Sequence, residues 1–175
     1  MDSIQKVQES QYDLPYHYIP RVDENNNFSQ FVSWSWGARY IGGMMAVLAQ
    51  LRDVEFSSLI DIGCGDGRFL REVSNIYSGK SLLGVDYSDR AIALAKAINP
   101  ELKYDCVNII ESPMTREFDV ATMVEVLEHI PPPEVEMFLD SVAKTLRREG
   151  LLVLTVPHQN KRLQDKHYHH FTAQT

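Results

Sequence analysis

The chain has little cysteine, no long apolar run and no excess of basic residues, and each lack excludes a class of protein. Its 175 residues include two cysteines, Cys64 and Cys106, which form no CxxC pair. This excludes a cysteine zinc framework, and we expect both thiols to be reduced and to lie in or near the core. No stretch of about 18 apolar residues occurs, so we expect no membrane span.

The charge balance argues against a dedicated nucleic-acid-binding protein. Lysine and arginine total 17 against 24 acidic residues, a formal net charge of −7. Nucleic-acid-binding proteins usually present a basic patch or stripe, although a local patch is compatible with an acidic total. The first residues lack the basic and apolar regions of a signal peptide, which favours a cytoplasmic protein.

The chain divides into an arm and one domain. Residues 1–30 are polar, and we interpret them as an extended arm whose aromatic residues pack partly on the domain. In residues 31–175, apolar runs alternate with stretches of helical periodicity. The predicted strands are 58–62, 81–85, 102–107, 118–124 and 151–156. The predicted helices are about 36–52, 67–77, one from Ser88 to about Ile98, and one from Pro131 to a terminating Gly150. This alternation predicts a three-layer α-β-α fold with a mostly parallel sheet.

A glycine-rich loop follows the first strand of the predicted sheet. Asp61 precedes a GxGxG pattern at Gly63, Gly65 and Gly67. It is compatible with a tight turn of any α/β domain, with a dinucleotide site, or with a site for a nucleoside joined to a cationic amino acid. A dinucleotide site prefers GxGxxG, and the leading acid would repel a pyrophosphate. Asp86 ends the second strand, where a carboxylate can accept both hydroxyls of a ribose.

Four blocks, in order, resemble the motif series of the class I S-adenosylmethionine-dependent methyltransferases. They are DIGCGDGRF, GVDYS, FDVATMVEVLEHIPP and LLVLTVP, and the resemblance covers about residues 55–157. It implies a Rossmann-like fold, S-adenosylmethionine as cofactor and methyl transfer as the reaction. The implied cofactor-binding residues are Asp61, Gly63, Cys64, Gly65, Asp86, Tyr87, Asn108 and Glu125.

Within this resemblance each part of the cofactor has an expected contact. The glycine loop would line the methionine part, Asp86 would hold the ribose and Tyr87 would flank the adenine. Asn108 stands where the family usually has Asp, and its amide oxygen can make a similar contact with the adenine amino group. Glu125 would lie below the sulfonium, just past the fourth strand.

An acidic–histidine cluster follows the fourth strand of the predicted sheet. If the chain turns helically there, Glu125, Glu128 and His129 share one face. The cluster has three interpretations. It is a cofactor-side loop, a catalytic group in which His129 with Glu125 or Glu128 takes the proton of a hydroxyl, or a divalent metal site formed by all three side chains. It resembles two metal-using groups, the ubiquinone-biosynthesis O-methyltransferases and the small-RNA 3′-end 2′-O-methyltransferases. The RNA group carries a later Phe-Glu-Trp motif that this chain lacks, which disfavours an RNA acceptor.

The last segment is rich in histidine. Three of the six histidines fall within His167–His170, and His158 leaves the fifth strand at the predicted site. We expect His158 and one histidine of the tail to contact the acceptor, unless they belong to an unspecialised surface loop. Similar KHxxHFT segments occur in methyltransferases that act on sugars and glycans. The segments 16–20 and 34–36 could form an aromatic lid, although core packing is the favoured use of Trp34.

The chain lacks the last helix and the antiparallel strand pair that usually complete a sheet of this class. We expect either a fragment of a longer protein or completion by a partner, and favour the fragment. The predicted function is O-methylation of a small molecule or of a sugar or glycan hydroxyl. The alternatives are a metal-dependent RNA 2′-O-methyltransferase and a non-catalytic cofactor-binding module.

Overall fold

A helix and a short strand pair precede the main sheet. The structure, a computed structural model, describes residues 2–10, 20–22, 28–30, 34–114, 117–172 and 174. The first elements are α1 (Ser3–Ser10), the antiparallel strands β1 (Pro20–Val22) and β2 (Phe28–Gln30), and α2 (Trp34–Leu51). The predictions for the aromatic residues of 12–18 and for the side chains of Trp34 and Trp36 lie outside what is described.

The prediction of an extended arm is wrong for residues 3–10, which form helix α1. Helix α1 begins with a capping box, because Asp2 Oδ1 accepts the Gln5 backbone N–H at 2.9 Å and Gln5 Oε1 accepts that of Asp2 at 3.1 Å. The two reciprocal bonds satisfy donors that the start of a helix otherwise leaves without partners. The polar composition of this segment therefore reflects a short capped helix.

A five-stranded parallel sheet forms the centre of the domain, as predicted. Its elements along the chain are β3 (Ser58–Ile62), α3 (Arg68–Ile76), β4 (Ser81–Asp86), α4 (Asp89–Ile98), β5 (Lys103–Cys106), β6 (Phe118–Val124), α5 (Val135–Thr145) and β7 (Leu146–Thr155). Two 3₁₀ turns, Leu127–His129 and Pro132–Glu134, connect β6 to α5. The strand order is β5-β4-β3-β6-β7, and every neighbouring pair is parallel.

Two apolar clusters cover opposite faces of the sheet. Leu59 of β3 packs in the cluster that contains residues of α2 and α3, whereas the next residue, Ile60, packs in the cluster that contains residues of α5. Successive strand residues point to opposite faces, so this alternation defines a helix–sheet–helix sandwich. Among the described residues, no helix has both the length and the apolar character that a membrane crossing needs.

Several predicted core positions lie at the surface. The helical periodicity of the sequence places Ile76 of α3 and Ile98 of α4 on inward faces. In the structure Ile76 is 56% exposed and Ile98 is 37% exposed. On α2 the buried residues include Met44, whereas Met45 is 63% exposed. The helices are therefore shorter than predicted, or rotated about their axes relative to the apolar faces that the sequence predicted. Cys106 is also exposed, which corrects its placement near the core, while Cys64 is buried and both thiols are free.

The predicted helix end at Gly150 is also wrong. Helix α5 ends at Thr145, and β7 begins at once with Leu146. The β6–β7 register slips between the Phe118 and Val120 pairs, so that β7 has extra residues there. Glu149 in this stretch adopts φ 64°. An added Cβ on Gly150 would lie 2.9 Å from the Arg147 carbonyl oxygen, so glycine permits this irregular stretch.

Helix α3 allows a direct test of this packing. Leu70→Ala removes a fully buried side chain, and we expect it to lower the free energy of unfolding by about 3 kcal/mol. Ile76→Ala on the same helix removes a largely exposed side chain, and we expect a change below about 1 kcal/mol. Urea unfolding followed by circular dichroism measures both. Equal losses for the two variants would contradict the observed orientation of α3.

Candidate active site

A cavity of about 910 Å³ opens where the loops after β3 and β6 separate. Strands β3 and β6 are neighbours in the sheet, but the chain visits β4 and β5 between them, so this is the point at which the strand order reverses. Ligands of parallel α/β sheets bind at such a point, beyond the carboxyl ends of the strands. The predicted site residues that line the cavity are Gly63, Cys64, Gly65, Asp86, Tyr87, Asn108, Glu125, Glu128 and His129.

The glycine loop forms one wall of the cavity. The backbone N–H groups of Gly63 and Cys64 both donate to the Val85 carbonyl, at 2.8 and 3.0 Å. Gly63 has φ 71°, and an added Cβ would lie 2.7 Å from a methyl carbon of Val126. Only glycine combines this backbone conformation with so close an approach. The loop therefore lies flat against the segment that follows β6.

Asp86 is the buried carboxylate of the cavity wall. Its Oδ2 accepts the Gly65 N–H at 2.9 Å and its Oδ1 accepts the Ser88 N–H at 3.0 Å. Burial raises the pKa of Asp86 to about 6, although these hydrogen bonds favour the charged form. Each oxygen keeps a lone pair for a further donor, so the carboxylate can accept two ligand hydroxyls.

Asp61 lies behind the glycine loop and is not among the residues that line the cavity. It is 2% exposed, and its Oδ1 accepts the Thr122 hydroxyl at 2.8 Å. Burial raises the pKa of Asp61 to about 7, and the nearby Asp86 adds to the shift. Its position therefore supports an electrostatic role beneath the loop, whereas the sequence predicted a contact with the methionine part of the cofactor.

Tyr87 and Asn108 lie at the other end of the cavity. Tyr87 is 42% exposed, so one side of its ring remains available. The Asn108 side-chain oxygen accepts the Ile110 N–H at 3.1 Å, which closes a local turn. Part of the acceptor capacity that the sequence assigned to an adenine amino group is thus used within the chain.

Glu125 and Glu128 follow β6 in different environments. Glu125 adopts φ 56°, rare for a residue with a side chain, and its N–H lies 3.2 Å from both Thr155 oxygens, carbonyl and hydroxyl. Glu128 is fully buried, and neither carboxylate oxygen has a hydrogen-bond partner among the described residues. Burial raises the pKa of both groups, that of Glu128 to about 8, and their mutual repulsion adds to the shift of Glu128.

Two histidines face the Glu128 carboxylate with their Nε2 atoms. His129 Nδ1 donates to the Lys166 carbonyl at 2.8 Å, which leaves its Nε2 lone pair 3.9 Å from Glu128 Oε1. His167 Nε2 lies 4.0 Å from the same oxygen. Burial lowers the pKa of His129 to about 4 and that of His167 to about 3, so both rings are neutral at pH 7.

The His167 tautomer depends on His170. His170 Nδ1 lies 3.2 Å from the Lys161 carbonyl oxygen, which can only accept, so Nδ1 carries the hydrogen. In this tautomer Nε2 is the acceptor, and it lies 2.8 Å from His167 Nδ1. His167 therefore donates through Nδ1 and keeps a lone pair on Nε2. Both imidazoles therefore place a nitrogen that carries a lone pair about 4 Å from Glu128 Oε1, and each has its other ring nitrogen in a hydrogen bond, as metal-binding histidines do.

The resulting cluster differs from the predicted one by one residue. Ligand atoms of Glu128, His129 and His167 lie within 4.8 Å of one another. Glu125 had been expected to share a helical face with Glu128 and His129, but it precedes the 3₁₀ turn with a left-handed backbone. His167 was noted in the sequence only as part of the histidine-rich tail. His158, also expected near the acceptor, is absent from the cavity lining and bridges to Phe171 instead.

Comparison with known proteins identifies the family. Residues 35–174 match the family described as "Methyltransferase domain". The chain therefore belongs to the class I S-adenosylmethionine-dependent methyltransferases, and its cofactor is S-adenosylmethionine.

Two curated relatives are named for O-methylation. The chain is 25% identical over 165 residues to the ubiquinone biosynthesis O-methyltransferase of Hydrogenovibrio crunogenus, covering 86% of the chain and 67% of the relative. It is 29% identical over 153 residues to the mitochondrial ubiquinone biosynthesis O-methyltransferase of Schizosaccharomyces pombe, covering 77% of the chain and 54% of the relative.

Solved structures share the fold. Magnesium protoporphyrin IX methyltransferase from Synechocystis, with bound S-adenosylmethionine, superposes with a TM-score of 0.67 at 15% identity, covering 97% of this chain and 80% of that one. The N-methyltransferase NodS from Bradyrhizobium japonicum, in complex with S-adenosylhomocysteine, gives a TM-score of 0.67 at 18% identity. The match covers 90% of this chain and 75% of NodS. These likenesses confirm the predicted Rossmann-like fold.

The described residues fit the cofactor. The cavity volume lies within the roughly 300–1,000 Å³ of small-molecule sites. A side chain at Gly63 would meet Val126, so the open backbone of the loop is maintained by glycine. Asp86 offers two acceptor oxygens for a ribose, and the neighbouring carboxylates suit a cationic amino acid and a sulfonium.

The raised pKa of Asp86 predicts a pH-dependent affinity for S-adenosylmethionine. A carboxylate accepts from ribose hydroxyls in its charged form, so affinity should be full well above pH 6 and fall as Asp86 is protonated below it. We expect the dissociation constant from isothermal titration to rise by up to about tenfold per pH unit below 6. Asp86→Asn should bind weakly at pH 7.5 and lose most of this dependence. An unchanged pH profile in that variant would assign the titration to another group, with Asp61→Asn as the next variant.

Proposed function

We propose that the protein transfers a methyl group to a hydroxyl of a small molecule, with a divalent metal ion held beside the acceptor. The observation that carries this proposal is the buried Glu128 carboxylate, which has no hydrogen-bond partner among the described residues and has two neutral imidazoles about 4 Å away. The names of the curated relatives support oxygen as the acceptor atom. Glycan hydroxyls, suggested by the KHxxHFT segment, are a second acceptor class to be compared experimentally.

Glu128, His129 and His167 suit a metal ion better than a general base. The distances of 3.9 and 4.0 Å between nitrogen and oxygen are too long for hydrogen bonds. Two metal–ligand bonds of about 2.0–2.2 Å span this separation with little movement. His129 would be a weak base, because burial disfavours its protonated form. A mixed nitrogen and oxygen donor set accepts Zn²⁺, Mn²⁺ or Fe²⁺.

The reaction then divides between the cofactor and the side chains. S-adenosylmethionine, when bound, supplies a methyl group already activated by the positive sulfonium. The glycine loop and Asp86 would hold it, and the metal ligands would place a hydroxyl and increase its acidity through the ion. Glu125 lines the cavity beside them, so we assign it as the acceptor of the hydroxyl proton. Alignment of the reacting groups and exclusion of water are the main contributions of the chain.

Metal binding is testable without turnover. Removal of a ligand side chain should weaken binding of Co²⁺ or Mn²⁺ to the chelator-treated protein by at least about tenfold in His167→Ala, with a similar loss in His129→Ala. His158→Ala is the matched control, since His158 is exposed and outside the cavity lining. Titration calorimetry and the Co²⁺ absorption spectrum report the affinity. Equal affinity in all three variants would disprove this ligand set.

Methyl transfer itself is tested with tritiated S-adenosylmethionine and three acceptor panels, bearing phenolic, sugar and amine groups. We expect label on oxygen acceptors, loss of transfer with a chelator, and recovery on addition of metal. Because Glu125 is assigned to proton transfer, Glu125→Gln should lower kcat by about 10²-fold or more. Transfer to amines alone would overturn the hydroxyl acceptor. Full activity in the presence of a chelator would overturn the role of the metal ion.

The cytoplasmic location stays a prediction from the sequence.

A further inference from the structure

Helix α1 lies over the cofactor cavity, although it precedes every motif that defines the family. Its cavity-lining residues are Ile4, Gln5, Val7 and Gln8. Residues three and four positions apart share a face of a helix, so Ile4, Val7 and Gln8 form one side of α1. Lys6 is exposed and is not part of this lining. One face of the helix therefore completes the wall of the site.

Hydrogen bonds attach α1 to both ends of the cavity. The Ser88 hydroxyl donates to Glu9 Oε1 at 2.8 Å, and Ser88 N–H donates to the cavity carboxylate Asp86. At the other end of the helix, the Tyr168 hydroxyl donates to Asp2 Oδ2, while Tyr168 N–H donates to the Glu128 carbonyl at 2.9 Å. The carboxyl end of α1 is thus fixed beside Asp86. Gln8, adjacent to Glu9, lies at this end.

Gln8 carries an acceptor that the described part of the chain does not satisfy. Its side-chain oxygen is buried and has no hydrogen-bond partner among the described residues. A buried acceptor without a donor is costly, and a bound molecule that offers an N–H or O–H group removes that cost. S-adenosylmethionine offers such donors in its ribose hydroxyls, its adenine amino group and its methionine ammonium group. Because Gln8 lies at the end of α1 that is fixed beside Asp86, the expected ribose-binding carboxylate, the adenosine half is the part expected next to it.

We propose that Gln8 is a cofactor-binding residue whose side-chain oxygen accepts a hydrogen bond from the adenosine half of S-adenosylmethionine. Ile4 and Val7, on the same face, close the cavity over the bound molecule. The inference rests on the family's cofactor and on the position of α1. It is independent of the metal and of the acceptor hydroxyl proposed above, because its test measures cofactor binding directly.

The test compares the same replacement on two faces of α1. Gln8→Leu keeps the approximate size of the side chain and removes the acceptor, and we expect the dissociation constant for S-adenosylmethionine to rise about three- to tenfold in isothermal titration. Lys6→Leu, on the exposed face, should bind as the unmodified protein does. Equal affinity for Gln8→Leu and Lys6→Leu would overturn the proposal.

A truncated ligand locates the contact. 5′-Methylthioadenosine keeps the adenosine and lacks the amino acid, so Gln8→Leu should weaken both ligands by the same factor. If Gln8→Leu bound 5′-methylthioadenosine with unchanged affinity, Gln8 would not contact adenosine.

Hydrogen exchange on the unmodified protein supplies a measurement that needs no variant. Adding S-adenosylhomocysteine should slow exchange of the α1 amides, and an unchanged rate would contradict the cover formed by this helix.

Discussion

The close contact between Gly63 and Val126 is the constraint on which the rest of the site depends. It joins two loops of the cavity. The loop after β3 is the glycine loop of the cofactor site, and the loop after β6 carries the acidic–histidine cluster. Because no side chain fits between them, the two loops lie as adjacent walls of one cavity. The cofactor and the proposed metal ligands thereby share one compartment at the reversal point of the sheet.

Burial gives this compartment its electrostatic character. Asp61, Asp86 and Glu128 lie at the carboxyl ends of the central strands, where each is almost removed from water. Such groups retain their charge only when a partner or a ligand compensates for the lost hydration. The site is accordingly suited to S-adenosylmethionine, which is cationic and donates hydrogen bonds, and to a divalent cation.

Much of the sheet and of the cofactor loop could be predicted from the sequence, because local patterns determine them. The strand Ser58–Ile62 is apolar and ends in a glycine loop, and β6 was predicted with its observed bounds. The helix faces were less predictable, since apolar Ile76 fits the helical period yet extends beyond the layer that the sheet covers. A local signal for α1 was present in Asp2 and Gln5, whose spacing is that of a capping box.

The contribution of His167 could not be read from spacing. It lies 38 positions beyond His129, and its approach to Glu128 depends on the path of the segment after β7, which no periodic pattern specifies. The same holds for the tautomers of the two rings, which depend on the carbonyls of Lys161 and Lys166. Site residues contributed by irregular segments require the three-dimensional structure, whereas those at strand ends follow from the topology.

The two attachments of α1 have a consequence for the timing of ligand exchange. A helix of eight residues is too short to be stable by itself, so its position depends on the cavity face and on the bonds to Ser88 and Tyr168. Each of these hydrogen bonds contributes only about 1 kcal/mol to holding α1 in place. Because so little free energy opposes it, local detachment of α1 occurs frequently. The cover can therefore exclude water while ligands are bound and still release the spent nucleoside without unfolding the domain.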